Sequence, residues 1–153
     1  MTPAPALEFI CEIRAGVGPA IELGRTPAGL RRIVDIIEGS FEGPLLRGNL
    51  LPGGADWQIL RADGVAELHA HYILKTDDGV LIQVRNRGLR HGAEETLRRI
   101  AAGEKVNPVE YYFRATPVFE APEGRYEWLN RSIFAATAER YAAAVMVRVF
   151  RIC

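Results

Sequence analysis

Short apolar segments recur along the chain, and a glycine-containing turn ends each of them. Examples are "ALEFICEIRAG", "LRRIVDIIEG", "DWQILRADG" and "VLIQVRNRG". Two turns, Ala62-Asp63-Gly64 and Thr76-Asp77-Asp78-Gly79, place Asp-Gly between apolar runs, where it can supply the positive φ that closes a hairpin. This regular spacing predicts an all-β protein of nine to ten antiparallel strands, arranged as a sandwich or a barrel.

One segment has a helical pattern instead. In "GAEETLRRIAAGEK", the acidic Glu94 and Glu95 occupy the first turn, and Arg98 and Arg99 follow them at the i,i+4 spacing that stabilises a helix. The pattern predicts one short helix near residues 93–102.

Two further segments, residues 26–38 and 133–147, combine helical and strand signals. Thr26 and Pro27 could begin a helix, but the β-branched residues that follow favour a strand. The second segment is rich in alanine, yet it ends in the alternating pattern "VMVRVFRI". We favour strands in both, with the second segment forming two strands joined near Glu139-Arg140.

Length and charge limit the possible functions. A chain of 153 residues can form one core, and we treat residues 1–153 as one domain. Nineteen basic and nineteen acidic side chains balance, so overall charge favours neither nucleic acid nor a membrane surface. Since no leader or long apolar run is evident, we expect a cytoplasmic protein. Cys11 and Cys153 are expected to be two packed or idle thiols.

The stretch "LLPGGADWQIL" carries the first candidate for chemistry. Asp56 follows a Pro-Gly-Gly turn and precedes Trp57, and on a strand these two side chains point to opposite faces. Asp56 could satisfy the turn backbone while Trp57 packs in the core. Alternatively, Asp56 could be a carboxylate at a barrel mouth beside an aromatic wall.

Arg114 is the second candidate, in the strand-like "VNPVEYYFRATPVFE". Alternation places it opposite the face that carries Tyr111 and Phe113. The guanidinium must be solvated or paired; paired with Asp56 it would be structural, and left open it could bind a carboxylate or enolate oxygen.

Two other segments carry polar and aromatic groups. If "RYEWLNRS" is extended, Tyr126, Trp128 and Asn130 share a face, as in a ligand wall or an aromatic core. In "AELHAHYILKT", His69 and His71 share a face with an acid, opposite an apolar row that includes Tyr72. We favour a solvated face there and predict no metal site. The sequence also has neither a phosphate-binding glycine loop nor a nucleophile elbow, so we predict no cofactor.

Taken together, these elements resemble a bacterial and fungal family catalogued as a domain of unknown function, number 3237. The resemblance rests on Gly-Gly-Ala-Asp-Trp, Asp-Gly, Tyr-Phe-Arg and Trp-Leu-Asn in this order, over nearly the whole chain. It implies a single β-barrel of calycin- or lipocalin-like appearance and self-association, but no activity. The matching positions are Gly53, Gly54, Asp56, Trp57, Tyr72, Asp78, Gly79, Asn86, Arg114, Phe119, Tyr126, Trp128 and Asn130.

We therefore expect a barrel that binds a small apolar carbonyl or carboxylate compound. If it is an enzyme, the simplest chemistry is cofactor-free proton transfer of the lyase or isomerase type, with Asp56 as acid or base, Arg114 stabilising negative charge and Asn130 orienting the substrate. Tyr111 and the other aromatic side chains named above would line the ligand site. The alternatives are a non-catalytic binding barrel and an oligomeric structural protein, and a homo-oligomer is expected in either case.

Overall fold

The computed structural model describes residues 1–153, and its nine strands form one antiparallel sheet. The α-helix α1 spans Glu94–Ala101, and short 3-10 helices span Pro108–Glu110 and Glu127–Arg131. The strands are β1 (Leu7–Thr26), β2 (Gly29–Glu42), β3 (Gly48–Leu50), β4 (Gly54–Leu60), β5 (Ala66–Thr76), β6 (Leu81–Gly92), β7 (Tyr111–Glu120), β8 (Ile133–Arg140) and β9 (Ala144–Ile152).

The sheet closes on itself because β1 pairs with both β9 and β2. From β9 the ring continues through β8, β7, β6 and β5, and the short strands β3 and β4 both bridge β5 to β2. The prediction of an antiparallel barrel is confirmed, with nine strands and one short helix. None of the helices has the length and apolar character that a bilayer-spanning helix requires.

Both ambiguous segments are strands, as predicted. The first forms most of β2, and the second forms β8 and the start of β9. The N-terminal segment differs from the sequence pattern, which breaks at Gly18-Pro19. The structure has one long strand there, and bulges beside Val17 and between Glu22 and Gly24 absorb the irregularity.

The barrel interior has a dry half and a polar half. In the dry half, large apolar side chains from every part of the ring are almost fully buried, among them Ile10, Phe41, Leu74, Ile82 and Phe134. In the other half, polar side chains such as Asp56, Gln58 and Arg90 lie among apolar inward residues and enclose a small cavity. Because helix α1 follows β6 at the polar end, Ile100 and Val106 pack there against the core.

One segment contradicts the sequence prediction. The stretch around Trp128 is a 3-10 helix, Glu127–Arg131, rather than an extended strand with one face toward a ligand. Its only fully buried side chain is Leu129, which inserts into the dry half of the barrel.

Candidate functional site

The Pro-Gly-Gly turn places β4 directly against β5. Gly53 has a φ of 103°, a conformation in which glycine is favoured. At Gly54, an added Cβ would lie 2.6 Å from Cβ of Tyr72, so no larger residue fits. This close approach leaves Asp56 and Gln58 on the inward face of the strand and Trp57 on the outer face, 49% exposed.

A chain of hydrogen bonds fixes the Asp56 carboxylate inside the barrel. Arg32 Nε donates to Gln58 Oε1 at 2.7 Å, and Gln58 Nε2 donates to Asp56 Oδ2 at 2.8 Å. The register explains the contact, because Arg32 on β2 is directly opposite Gln58 on β4. The amide oxygen and nitrogen of Gln58 are therefore both hydrogen-bonded. The second carboxylate oxygen of Asp56, Oδ1, has no partner and faces the lumen.

Two more arginines point into the same half of the barrel. Arg90 on β6 is buried, and its guanidinium lies 5.3 Å from the centre of the Phe113 ring. Arg140 ends β8, and its backbone N–H donates to the hydroxyl of Tyr111 at 3.0 Å. No carboxylate forms an ion pair with Arg32, Arg90 or Arg140.

The electrostatics of these groups follow from burial. Burial raises the pKa of Asp56, and the Gln58 hydrogen bond and the charge of Arg90 only partly oppose this shift. Burial also lowers the pKa of Arg90 to about 10, and the neighbouring positive charges of Arg32 and Arg140 act in the same direction. The cluster therefore holds more positive charge than its single carboxylate balances.

The centre of the cluster is a cavity of about 60 Å³. Its walls include Asp56, Asn86, Arg90 and Arg140 together with apolar side chains such as Leu68. Two side-chain oxygens, Asp56 Oδ1 and Asn86 Oδ1, are buried without a hydrogen-bond partner. Buried polar atoms are normally hydrogen-bonded, so these two oxygens mark positions at which a hydrogen-bond donor would be stabilised.

Arg114 does not lie in this site, contrary to expectation. It points outward from β7, where its guanidinium lies over the Tyr112 ring at 5.3 Å and donates to the Phe113 carbonyl at 2.9 Å. The β7 alternation was predicted correctly, but the buried face is the one that carries Tyr111 and Phe113. The expected pairing of Arg114 with Asp56 is therefore wrong.

Asn130 is also far from the lumen. Its side chain bridges the backbone of Ala121, accepting from the N–H and donating to the carbonyl, both at 2.8 Å. Tyr126 donates to Asp78 at 2.8 Å, and Trp128 lies beneath the Arg151 guanidinium. These three residues brace the loop after β7 and do not form the predicted ligand wall.

The remaining candidates divide between the two faces. Tyr72 is buried and lines the cavity, where burial raises the pKa of its hydroxyl above the usual range. Tyr111 is buried beside Arg140. His69 and His71 pair in register with outward residues of the neighbouring strands, and no group of three His, Cys, Asp or Glu side chains could hold a metal ion.

Sequence reasoning missed most of the polar lumen. Strand alternation could have located these inward polar residues, because they lie two or four positions from buried apolar residues on the same strands. Arg32 precedes Val34, and Asn86 follows Val84. The missed residues are Arg32, Gln58, Asn86, Arg90 and Arg140.

A closed antiparallel barrel with a small cavity at one end, lined mainly by apolar side chains and by a few charged and amide groups, defines the class of this protein. The particular family follows from sequence, because the model of the proteins of unknown function DUF3237 matches residues 5–152. The chain belongs to this family, as its sequence elements indicated.

Similar proteins share the whole fold. A conserved protein of unknown function from Rhodopseudomonas palustris is 38% identical, with all of both chains covered and a TM-score of 0.93. A beta-barrel like protein from Acinetobacter baumannii is 39% identical, with a TM-score of 0.87 over all of this chain and 99% of that one. A hydroalkoxylation enzyme from Penicillium herquei is 31% identical over 80 residues, which are 52% of this chain and 53% of that enzyme.

Proposed function

We propose that this barrel binds a small organic molecule in its polar lumen and transfers a proton to or from it without a cofactor, with Asp56 as the acid or base. The observation that carries the proposal is the unpartnered Oδ1 of Asp56, which is buried and lines the cavity. Carboxyl groups that serve as acids or bases at neutral pH commonly have a raised pKa, and burial raises that of Asp56.

The surrounding groups fit this role. Gln58 holds Oδ2 at 2.8 Å, so the carboxyl group is fixed in orientation while Oδ1 is free to exchange a proton. Arg90 lines the same cavity and can stabilise negative charge that develops on a substrate oxygen. Arg90 thus takes the role that the sequence had suggested for Arg114.

The fungal relative supports acid–base chemistry in this family. Its name describes a hydroalkoxylation enzyme, and hydroalkoxylation adds an alcohol O–H across a carbon–carbon double bond. Such an addition moves one proton from oxygen and delivers one to carbon. Either step requires at least one group that can accept or donate a proton, and a carboxyl group can do both.

The cavity is smaller than the 300–1,000 Å³ or so of typical ligand pockets. At about 60 Å³ it accommodates the reacting end of a molecule. The rest of the ligand would extend past Arg140 toward the polar end of the barrel.

Proton transfer can be tested without knowing the natural substrate. Ketones, lactones and unsaturated acids would be incubated with the protein in D₂O, and deuterium entry at carbon would be followed by NMR. We expect Asp56→Asn to bind the same compounds, by thermal shift, but to lose the exchange. Asp35→Asn, on the outer face of the neighbouring strand, is the matched control.

The outcomes separate enzyme from carrier. Exchange in the wild type and in Asp35→Asn but not in Asp56→Asn supports the proposal. Ligand-dependent stabilisation without any exchange would identify a non-catalytic binding barrel. Equal exchange in the wild type and Asp56→Asn would exclude Asp56 as the acid or base.

A further inference from the structure

The geometry points to the chemical class of the ligand. We infer that the lumen binds a small organic anion that also carries a hydroxyl group, with the hydroxyl at Asp56 and Asn86 and the negative charge toward the three arginines. This inference rests on the proposed use of the lumen as the binding site.

The positive charge of the cluster requires a partner. Arg32, Arg90 and Arg140 face one carboxylate, and none of the three is within ion-pair distance of any acid. Glu22 is opposite Arg32 in register, but it is exposed and forms no ion pair with it. Arg90 is buried, and Arg32 and Arg140 are half-buried. A buried charge is costly unless it is paired, so a bound anion would compensate a cost that falls chiefly on Arg90.

The deeper part of the cavity requires a hydrogen-bond donor instead of a negative charge. Asn86 is only 9% exposed, and its Oδ1 accepts no hydrogen bond, as is also true of Asp56 Oδ1. While Asp56 is ionised, both atoms are acceptors, so they need a donor. A carboxylate or ketone oxygen placed there would be repelled, whereas a hydroxyl group would satisfy one of them directly.

The strand register separates these two requirements. Asp56 and Asn86 belong to one row across the sheet, because both pair with Ala70 on β5. Arg32 and Arg90 are attached one and two inward positions nearer the polar end. Two residues of an antiparallel strand span about 7 Å, so Arg32 is attached about 7 Å and Arg90 about 14 Å from this row. Because Arg90 also lines the cavity, we place the anionic group about 7 Å or more from the hydroxyl.

Apolar side chains line the space between the two ends. Leu68, Phe113 and Val145 contribute to the cavity wall. The ligand therefore has an apolar middle of roughly the length of a benzene ring or a five-carbon chain, with one polar group at each end.

The test compares matched compounds on two scaffolds by isothermal titration calorimetry. The aromatic set is 4-hydroxybenzoate, benzoate and methyl 4-hydroxybenzoate, and the aliphatic set is 6-hydroxyhexanoate, hexanoate and the methyl ester of the hydroxy acid. We expect the hydroxy acid of at least one set to bind about tenfold or more tightly than both its relatives, because each relative leaves either an acceptor or the arginines unsatisfied.

Variants assign each preference to its residues. In Asn86→Leu the hydroxy acid should lose most of its advantage over the plain acid, and in Arg90→Met it should lose its advantage over the ester. Arg140→Met is the second variant if Arg90→Met does not fold. The controls are Asn49→Leu and Arg87→Met, at exposed positions on β3 and β6.

Each result bears on a different claim. Equal affinities for the hydroxy acid and its ester would show that the ligand need not be an anion. Equal affinities for the hydroxy acid and the plain acid would show that the ligand need not carry a hydroxyl group. Neither result would affect the proposal that Asp56 transfers a proton. Failure of all six compounds to bind would reject the inferred class, while deuterium exchange tests the proposed function independently. A loss of preference in Arg87→Met equal to that in Arg90→Met would move the site to the outer face.

Discussion

Gln58 donates a 2.8 Å hydrogen bond to Asp56 from the same inward face of one strand, two residues along the chain. The contact depends on the alternation of β4, which turns both side chains inward while Trp57 points out. It leaves one carboxylate oxygen restrained and the other available, so the Gln58 amide determines which oxygen faces the cavity.

Replacing Gln58 should therefore disturb both of its partners. In Gln58→Leu, Arg32 Nε and Asp56 Oδ2 lose their hydrogen bonds, and we expect unfolding free energy to fall by about 1–3 kcal/mol in urea titrations. The pKa of Asp56 should rise further, because the hydrogen bond that lowers it is gone. Gln83→Leu, which removes exposed hydrogen bonds to His71 and Glu120 on the outer face of β6, is the control. An equal loss in both variants would show that the inward contact adds no more stability than an exposed one.

Stability should depend on pH through Asp56. Burial raises the folded-state pKa of this carboxyl above its unfolded value, so the stability it contributes is present in acid and is lost as pH rises through the folded pKa. Asp56→Asn removes the ionisable group and therefore this loss of stability at higher pH. We expect its melting temperature to exceed that of the wild type at pH 7, with the difference closing toward about pH 4.

Scanning calorimetry at several pH values would measure this difference. Asp35→Asn should show no comparable trend, since Asp35 is exposed. A destabilised Asp56→Asn at pH 7 would mean that attraction to the lumen arginines outweighs burial.

The two thiols should differ in reactivity. Cys11 is fully buried on β1, and burial raises the pKa of its thiol to about 12, whereas Cys153 is exposed. Ellman's reagent should label one thiol per native chain and two after unfolding in urea. In Cys153→Ser the native chain should give none; rapid labelling of that variant would contradict the packing around Cys11.

Asp78 should stabilise the barrel end opposite the polar lumen. Its carboxylate accepts hydrogen bonds from Thr76 at 2.6 Å and Tyr126 at 2.8 Å, and these bonds lower its pKa. Its contribution is thus present above the unfolded pKa and lost as pH falls through the folded one. We expect Asp78→Asn to melt below the wild type at pH 7 and to approach it in acid, while Asp77→Asn should change little.

Apolar segments separated by glycine-containing turns were enough to predict the strands, whereas closure into a barrel rather than a sandwich was implied by the family resemblance. The sequence pattern predicted the alternation of β7, with Arg114 opposite Tyr111 and Phe113, but not which of these faces is buried. The β-branched residues correctly favoured a strand at residues 26–38 despite the helix-like start at Thr26. Local patterns were sufficient there because each residue's environment depends on its own strand.

The site required information that local patterns lack. Asp56 was identified from its turn, but Arg32, Arg90 and Arg140 come together only once the ring is closed and the register is known. Asn130 was misplaced for another reason, because a short 3-10 helix has no periodic signature and its polar side chains satisfy nearby backbone groups.

The barrel places its largest fully buried side chains at one end and its buried charged groups at the other. Side chains such as Leu74 and Phe134 anchor the fold at one end, and they belong to the same hydrophobic core as the apolar residues that line the cavity. Substituting a polar side chain of the lining changes the cavity without removing any of these apolar residues. Members of a family built on this plan can therefore differ in the lining of one end while they keep the same anchor at the other.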